Sequence, residues 1–155
     1  MTRQALRTGL GIAALHAAVA TALLGGPAAA DWLAFAAIYP LAAIGVGVAM
    51  HRYFAHRAFA TSRPFQFALA LMASLSFGNP LHFAGKHQIH HRHSDTAEDV
   101  HTPLAGWWQC WFGSLLDCGY CEAEIVRRAS HWHAVPELAW LYRNPSLPAL
   151  TLCSL

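Results

Sequence analysis

Two stretches of this chain offer almost nothing for water to hold. Leu10 to Ala30 is apolar except for His16 and Thr21, and Trp32 to Met50 contains no charged residue at all. Each approaches the ~20 residues with which a helix spans the hydrocarbon core of a bilayer. The intervening "GGPAAAD" supplies a Gly/Pro turn, so the pair reads as a transmembrane hairpin over about residues 10–50. The rest of the composition agrees. Only 12% of the 155 residues are charged and 55% are hydrophobic, whereas a soluble domain carries about 25% charged residues. The expectation is an all-α integral membrane protein. A net charge of +2 with no basic block gives no reason to expect nucleic acid. The four cysteines do not form a secreted disulfide framework, which staples a small polar domain.

Orientation follows from the arginines. Arg3 and Arg7 precede the first run, and Arg52, Arg57 and Arg63 follow the second, so both ends of the hairpin face the cytoplasm. A rival reading exists for the first run. "TRQALR", an apolar core and "AAAD" also resemble a signal peptide with a small-residue cleavage site. Cleavage would leave residues 32–50 spanning and Arg52 inside, so the topology beyond Met50 is the same on either reading. A third apolar run, Phe65 to Leu81, carries Gln66, Ser74, Ser76 and Asn79. Were it to cross, the histidines before and after it would lie on opposite faces. It is therefore expected to pack on, or dip into, the cytoplasmic interface.

Those histidines are the compositional anomaly: 11 in all, with "HRYFAHRAF" directly after the second apolar run and "HQIHHRH" after the third. On a regular helix at ~100° per residue, His51 and His56 would stand roughly 140° apart. They converge only if the helix ends or bulges between them; otherwise each serves a different ion. His87 shares a helical face with His90 and His91, while His90 and His91 splay by ~100° toward two adjacent targets. Neutral imidazole is the commonest metal ligand and suits iron, zinc and copper. The absence of thiolates from both groups argues against structural zinc. Asp95, Glu98 and Asp99 follow closely and are suited to accept the second N–H of ligating imidazoles. A single histidine such as His16 needs no such explanation, whereas two tight groups at the cytoplasmic end of a helix pair point to a metal.

"HRYFAHRAF" and "HQIHHRHSDTAEDVHTP" resemble the first and second histidine boxes, HxxxxH and HxxHH, of membrane fatty acyl desaturases. The branch is the acyl-CoA, stearoyl-type (delta-9) one. The resemblance runs from roughly Gly45 to Trp111, and "PELAWLYRN" resembles a later family segment. It implies a non-haem di-iron oxidase in which two iron ions activate O2. The oxidant removes two hydrogens from adjacent methylenes of an acyl chain, leaving a cis double bond and water. Electrons would arrive from ferredoxin or a cytochrome b5-like protein, and the acyl group on coenzyme A or a lipid. By the same resemblance His51, His56, His87, His90 and His91 match iron ligands, and Asp95, Asp99 and His101 match the supporting tail of the second box.

The chain departs from the family in two places. Val100 stands where the family usually has proline, and no third HxxHH-type box follows His101, since His131 and His133 form only "HWH". Five ligands cannot fill two iron sites, so residues 1–155 read as a single desaturase-like domain, incomplete at its C-terminus, with a histidine-box region at 51–103. Two rivals remain: a histidine-box hydroxylase or monooxygenase, and a non-catalytic remnant holding one metal ion or none. Elsewhere the signals are weak. Cys118 and Cys121 form a CxxC without the second pair of a zinc knuckle or the βαβ setting of a redox motif. Trp107, Trp108 and Trp111 read as an interfacial belt. Lys86 and the arginines near the boxes suit an anionic headgroup, coenzyme A or an acidic donor, or simply the inside of the membrane. The closing "LAWLYRNPSLPALTLCSL" turns apolar again, like the approach to another membrane helix. No phosphate loop or serine-nucleophile setting is present.

Overall fold

A computed structural model describes residues 3–76, 78–113, 116, 119–144 and 147–148, with the side chains of all of these except 3–5 and 7. Every regular element among them is helical. The chain divides into two compact units, Met1–Ala36 with His93–Gly119 and Ala37–Arg92 with Tyr120–Leu155.

In the first unit, α1 (Arg3–Leu24) ends in a turn where Gly26 adopts φ +75, a left-handed conformation suited to glycine. The Asp31 carboxylate accepts the Ala28 N–H at 2.8 Å, closing the start of α2 (Ala29–Ile44). His16 is satisfied locally, its Nδ1 donating to the Ile12 carbonyl. The later part of this unit is a 3₁₀ turn (Pro103–Ala105), in which Thr102 caps the Leu104 N–H, and a short π-helical turn (Gln109–Gly113). Leu104, Trp107, Trp108 and Trp111 are all exposed there.

α2 runs without interruption into a π-helix, Gly45–Ala55, and the combined helix Ala29–Ala55 is long and apolar enough to cross a membrane. It is the one such helix among the described residues; the apolar part of α1, Thr8–Leu24, is shorter. No residue of α2 is buried. Leu33, Phe35, Tyr39 and Leu41 present their side chains outward, a surface that suits lipid far better than water.

The second unit owes its core to the π-helix. Met50, Tyr53 and Phe54 pack with Leu69 and Ala73 of α3 (Arg63–Ser74) and Leu81 of α4 (Pro80–His93). Backbone meets backbone at two glycines. A Cβ on Gly45 would fall 2.2 Å from the Met72 carbonyl oxygen, and one on Gly85 the same 2.2 Å from that of Ile125. Ile125 belongs to α5 (Glu122–Arg128), which leads through α6 (Ser130–His133) to α7 (Pro136–Arg143). Leu138 and Leu141 of α7 complete the core. An ion pair holds the start of α7 to the start of α3, with Arg63 donating to both carboxylate oxygens of Glu137 at 2.6 and 3.0 Å.

The third apolar run is two helices rather than one. α3 stops at Ser74, and its 12 residues, about 18 Å long, are too short to cross a hydrocarbon core. The chain restarts at Asn79, whose Oδ1 accepts the N–H groups of Leu81 and His82 at 3.1 Å each while its Nδ2 donates to the Tyr142 carbonyl. Asn79 thus caps the helix that carries the second histidine group. Cys118 of the CxxC and residues 149–155 of the closing apolar segment lie outside the described residues.

Candidate metal centre

The π-helix resolves the angular problem posed by His51 and His56. The His56 N–H donates to the His51 carbonyl five residues back, at 3.0 Å. An i→i+5 winding takes roughly one extra residue per turn relative to a pattern of 3.6, so positions five apart stack rather than diverge. His51 and His56 accordingly lie on one face, with ring centroids 4.5 Å apart. α4 brings His87 and His91, one helical turn apart, against the same face.

All four side chains present Nε2 to a common point. His56 Nε2 lies 3.2 Å from His51 Nε2 and 3.2 Å from His87 Nε2, and His87 Nε2 lies 3.0 Å from His91 Nε2. The ligand atoms of these four residues all fall within 4.8 Å of one another. Tautomer choice alone cannot satisfy this arrangement. A neutral Nε2 bears either one proton or one lone pair, yet His56 and His87 each face two other Nε2 atoms. A cation that accepts every lone pair removes the conflict. Two imidazole nitrogens at about 2.1 Å from one ion and at right angles to each other are about 3 Å apart, the spacing seen here. The electrostatics point the same way. His87 is held neutral, its pKa pushed down to about 3 by burial and then by His91, His51, His56 and His90. His56, just past the apolar span, is lowered by burial and by His51 and His91. Neutral imidazoles are what a metal requires.

His90 stands outside the four-nitrogen group, with its ring 5.7 Å from that of His87 and 5.4 Å from that of His91. Asp95, Asp99 and His101 belong to the other compact unit. Asp95 is exposed with φ +63, and the buried Asp99 accepts the His101 N–H on Oδ1 at 2.9 Å. Cys110 and Cys121 are free thiols, and Cys110 donates to the Thr102 carbonyl.

Several residues around the cluster carry no sequence signal for their positions. The π-helix leaves its last carbonyls without intrahelical partners. Trp132 Nε1 donates to the Phe54 carbonyl at 2.9 Å, and Gln88 Nε2 to that of Ala55 at 3.3 Å. Arg57, next to His56, adopts φ +51 and donates through Nε to His131 Nε2 at 3.0 Å. The one hint was "HWH", a histidine pair too sparse for a box.

No protein-family model matches the chain. Curated proteins do. Delta-9 acyl-lipid desaturase 2 of Arabidopsis thaliana is 31% identical over 115 residues, 72% of this chain and 36% of that protein. The sn-1 stearoyl-lipid 9-desaturase of Anabaena variabilis is 34% identical over 85 residues, 54% of this chain and 31% of its own length. Acyl-CoA desaturase 1 of Tachysurus fulvidraco is 31% identical over 103 residues, 66% of this chain and 31% of that protein. The chain belongs to the fatty acid desaturase family. It spans about a third of the length of these relatives. The relatives include both acyl-lipid and acyl-CoA desaturases, and their identity to this desaturase-family chain is nearly equal, so the comparison favours neither kind of acyl carrier.

Proposed function

We propose that this chain forms part of an O2-dependent, non-haem iron desaturase centre that introduces a cis double bond into a fatty acyl chain. The observation that carries the proposal is the convergence of four Nε2 atoms from two separate histidine boxes. The donor set fits one ion directly. His51, His56, His87 and His91 would hold it, and His90, whose ring is next to those of His87 and His91, would serve a second. When bound, iron would supply the O2-derived oxidant that takes two hydrogens from adjacent methylenes, with electrons from a ferredoxin or a cytochrome b5-like donor.

The chain's own residues contribute position. The apolar helix Ala29–Ala55 delivers the cluster at its end, where an acyl chain lying in the bilayer can reach it. On this proposal α1 and α2 form a membrane hairpin with both ends in the cytoplasm, and Trp107, Trp108 and Trp111 lie at headgroup depth. By the family resemblance, Asp95, Asp99 and His101 would be the supporting tail of the second box. Burial of His87 keeps its lone pair available to a metal over the whole physiological pH range.

One observation favours a second reading. The described residues bring together one four-histidine group. A chain with a single metal ion and no catalysis would present the same picture. Product analysis separates the alternatives. The membrane-embedded chain would be given iron, O2, a reduced ferredoxin and acyl substrates on coenzyme A or lipid, and the acyl chains weighed. A product lighter by two hydrogens supports desaturation. One heavier by an oxygen indicates a hydroxylase, and unchanged substrate over bound zinc or an empty site indicates the remnant.

A further inference from the structure

The end of the π-helix is held by contacts that the histidine boxes do not contain. Arg57 follows His56 directly and sits in the left-handed region, which an arginine adopts only when its surroundings impose it. Its side chain is fixed twice. Nε donates to His131 Nε2 at 3.0 Å, and the guanidinium lies 5.7 Å over the Trp132 ring. Trp132 in turn donates to the Phe54 carbonyl, inside the last turn of the π-helix. A short helix far away in sequence thus holds the chain on both sides of His56, through the Phe54 carbonyl before it and the Arg57 side chain after it.

We infer that His131, through Arg57 and with Trp132, positions His56 in the metal cluster by locking the left-handed turn that ends the π-helix. The inference rests on the proposed metal-binding role of the four histidines. The hydrogen bond has a defined direction. The guanidinium only donates, so His131 Nε2 must present a lone pair and its proton resides on Nδ1. An acceptor of the same reach can replace it. Glutamine offers its Oε1 near the place of Nε2, whereas alanine offers nothing. Without the acceptor, Arg57 keeps only its stacking on Trp132, one of the two contacts that hold its side chain, and the turn can relax toward an ordinary helix end. His56 would then swing away from His51, restoring the divergence expected of positions five apart on a 3.6-residue helix. No other member of the cluster depends on this turn, because His87 and His91 are set by α4 and His51 precedes the lock.

The test is Co2+ titration of the full-length chain in detergent or nanodiscs, read by visible absorption, whose intensity and position report the number and arrangement of nitrogen ligands. Partners that orient a ligand without binding the metal typically change affinity 10–100-fold. His131→Ala is expected to weaken Co2+ binding at least tenfold and to shift the spectrum toward fewer nitrogen ligands. His131→Gln should restore both. Glu137→Gln, which breaks the exposed Arg63–Glu137 pair between α3 and α7, should leave both unchanged, so that general loosening of this region is separated from the specific effect. Circular dichroism checks that each variant keeps the helicity of the wild type. A folded His131→Ala protein with wild-type affinity and spectrum overturns the inference and leaves the metal centre standing. So does an equal loss in His131→Ala and His131→Gln. A wild-type chain that takes up no Co2+ overturns the metal reading and this inference with it.

Discussion

His87 faces the Nε2 atoms of both His56 and His91, and burial followed by the neighbouring histidines pushes its pKa down to about 3, which favours the neutral imidazole. Replacing it by alanine removes the nitrogen that bridges the two boxes. His87→Ala should therefore lower Fe2+ or Co2+ affinity far more than His90→Ala, whose ring lies outside the four-nitrogen group; competition against a chromophoric chelator measures both. His131 is a second neutral histidine, lowered to about 4 from an ordinary 6.5 by burial and then by Arg57. The unfolded chain binds this proton near 6.5 and the folded chain only near 4. Between those values the unfolded state holds more protons, so stability is unaffected above pH 6.5 and falls as the pH drops toward 4. Thermal unfolding at pH 7 and pH 5 should show a smaller loss for His131→Gln than for the wild type. At this scale two histidine groups were legible from residue type and spacing, and the four residues that converge belong to them. The Arg57–His131 contact was not, because nothing local in "HWH" says which residue 74 positions earlier it meets.

The decisive element is the π-helix Gly45–Ala55. The HxxxxH spacing left two readings open, a bulge or helix end that brings His51 and His56 together or a separate ion for each, and the π-helix gives the first. What the sequence did not disclose is the mode, since a Gly-Val-Gly-Val start reads equally well as a plain apolar helix. The close approach of Gly45 to the Met72 backbone shows how tightly the winding is seated. Gly45→Ala would place a Cβ 2.2 Å from a carbonyl oxygen that has no side-chain freedom to yield. Such overpacking costs typically 1–3 kcal/mol, and the expected result is a lower unfolding temperature with weaker metal binding. A variant as stable as the wild type would show that the helix can slide. The split of the third apolar run at Asn79 is the same kind of event. Hydropathy saw one run, whereas α3 stops at Ser74 and the short polar side chain of Asn79, followed by Pro80, caps the start of the next helix.

For the molecule as a whole, the all-α class followed from the apolar runs, and the structure bears it out among the described residues. One helix of 27 residues, Ala29–Ala55, is long and apolar enough to cross a membrane, and the side chains of its first half face outward. The proposed orientation predicts that a cysteine at exposed Ser62, in a chain stripped of its native cysteines, reacts with an impermeant maleimide only from the cytoplasmic side. Labelling from the opposite side would invert the topology. The division into two compact units was not visible in the sequence, because each is assembled from segments far apart along the chain. The claim on which the rest depends is that two boxes, one at the end of a membrane-length helix and one on α4, make a single metal centre. X-ray absorption at the iron edge of the chain loaded anaerobically with Fe2+ tests it most directly, because imidazole ligands can be counted from their outer-ring scattering. Four imidazoles on an iron, falling to three in His56→Ala, is the predicted result. Two imidazoles or fewer, unchanged in that variant, would mean that the boxes bind apart and that the convergence of their nitrogens serves no common ion.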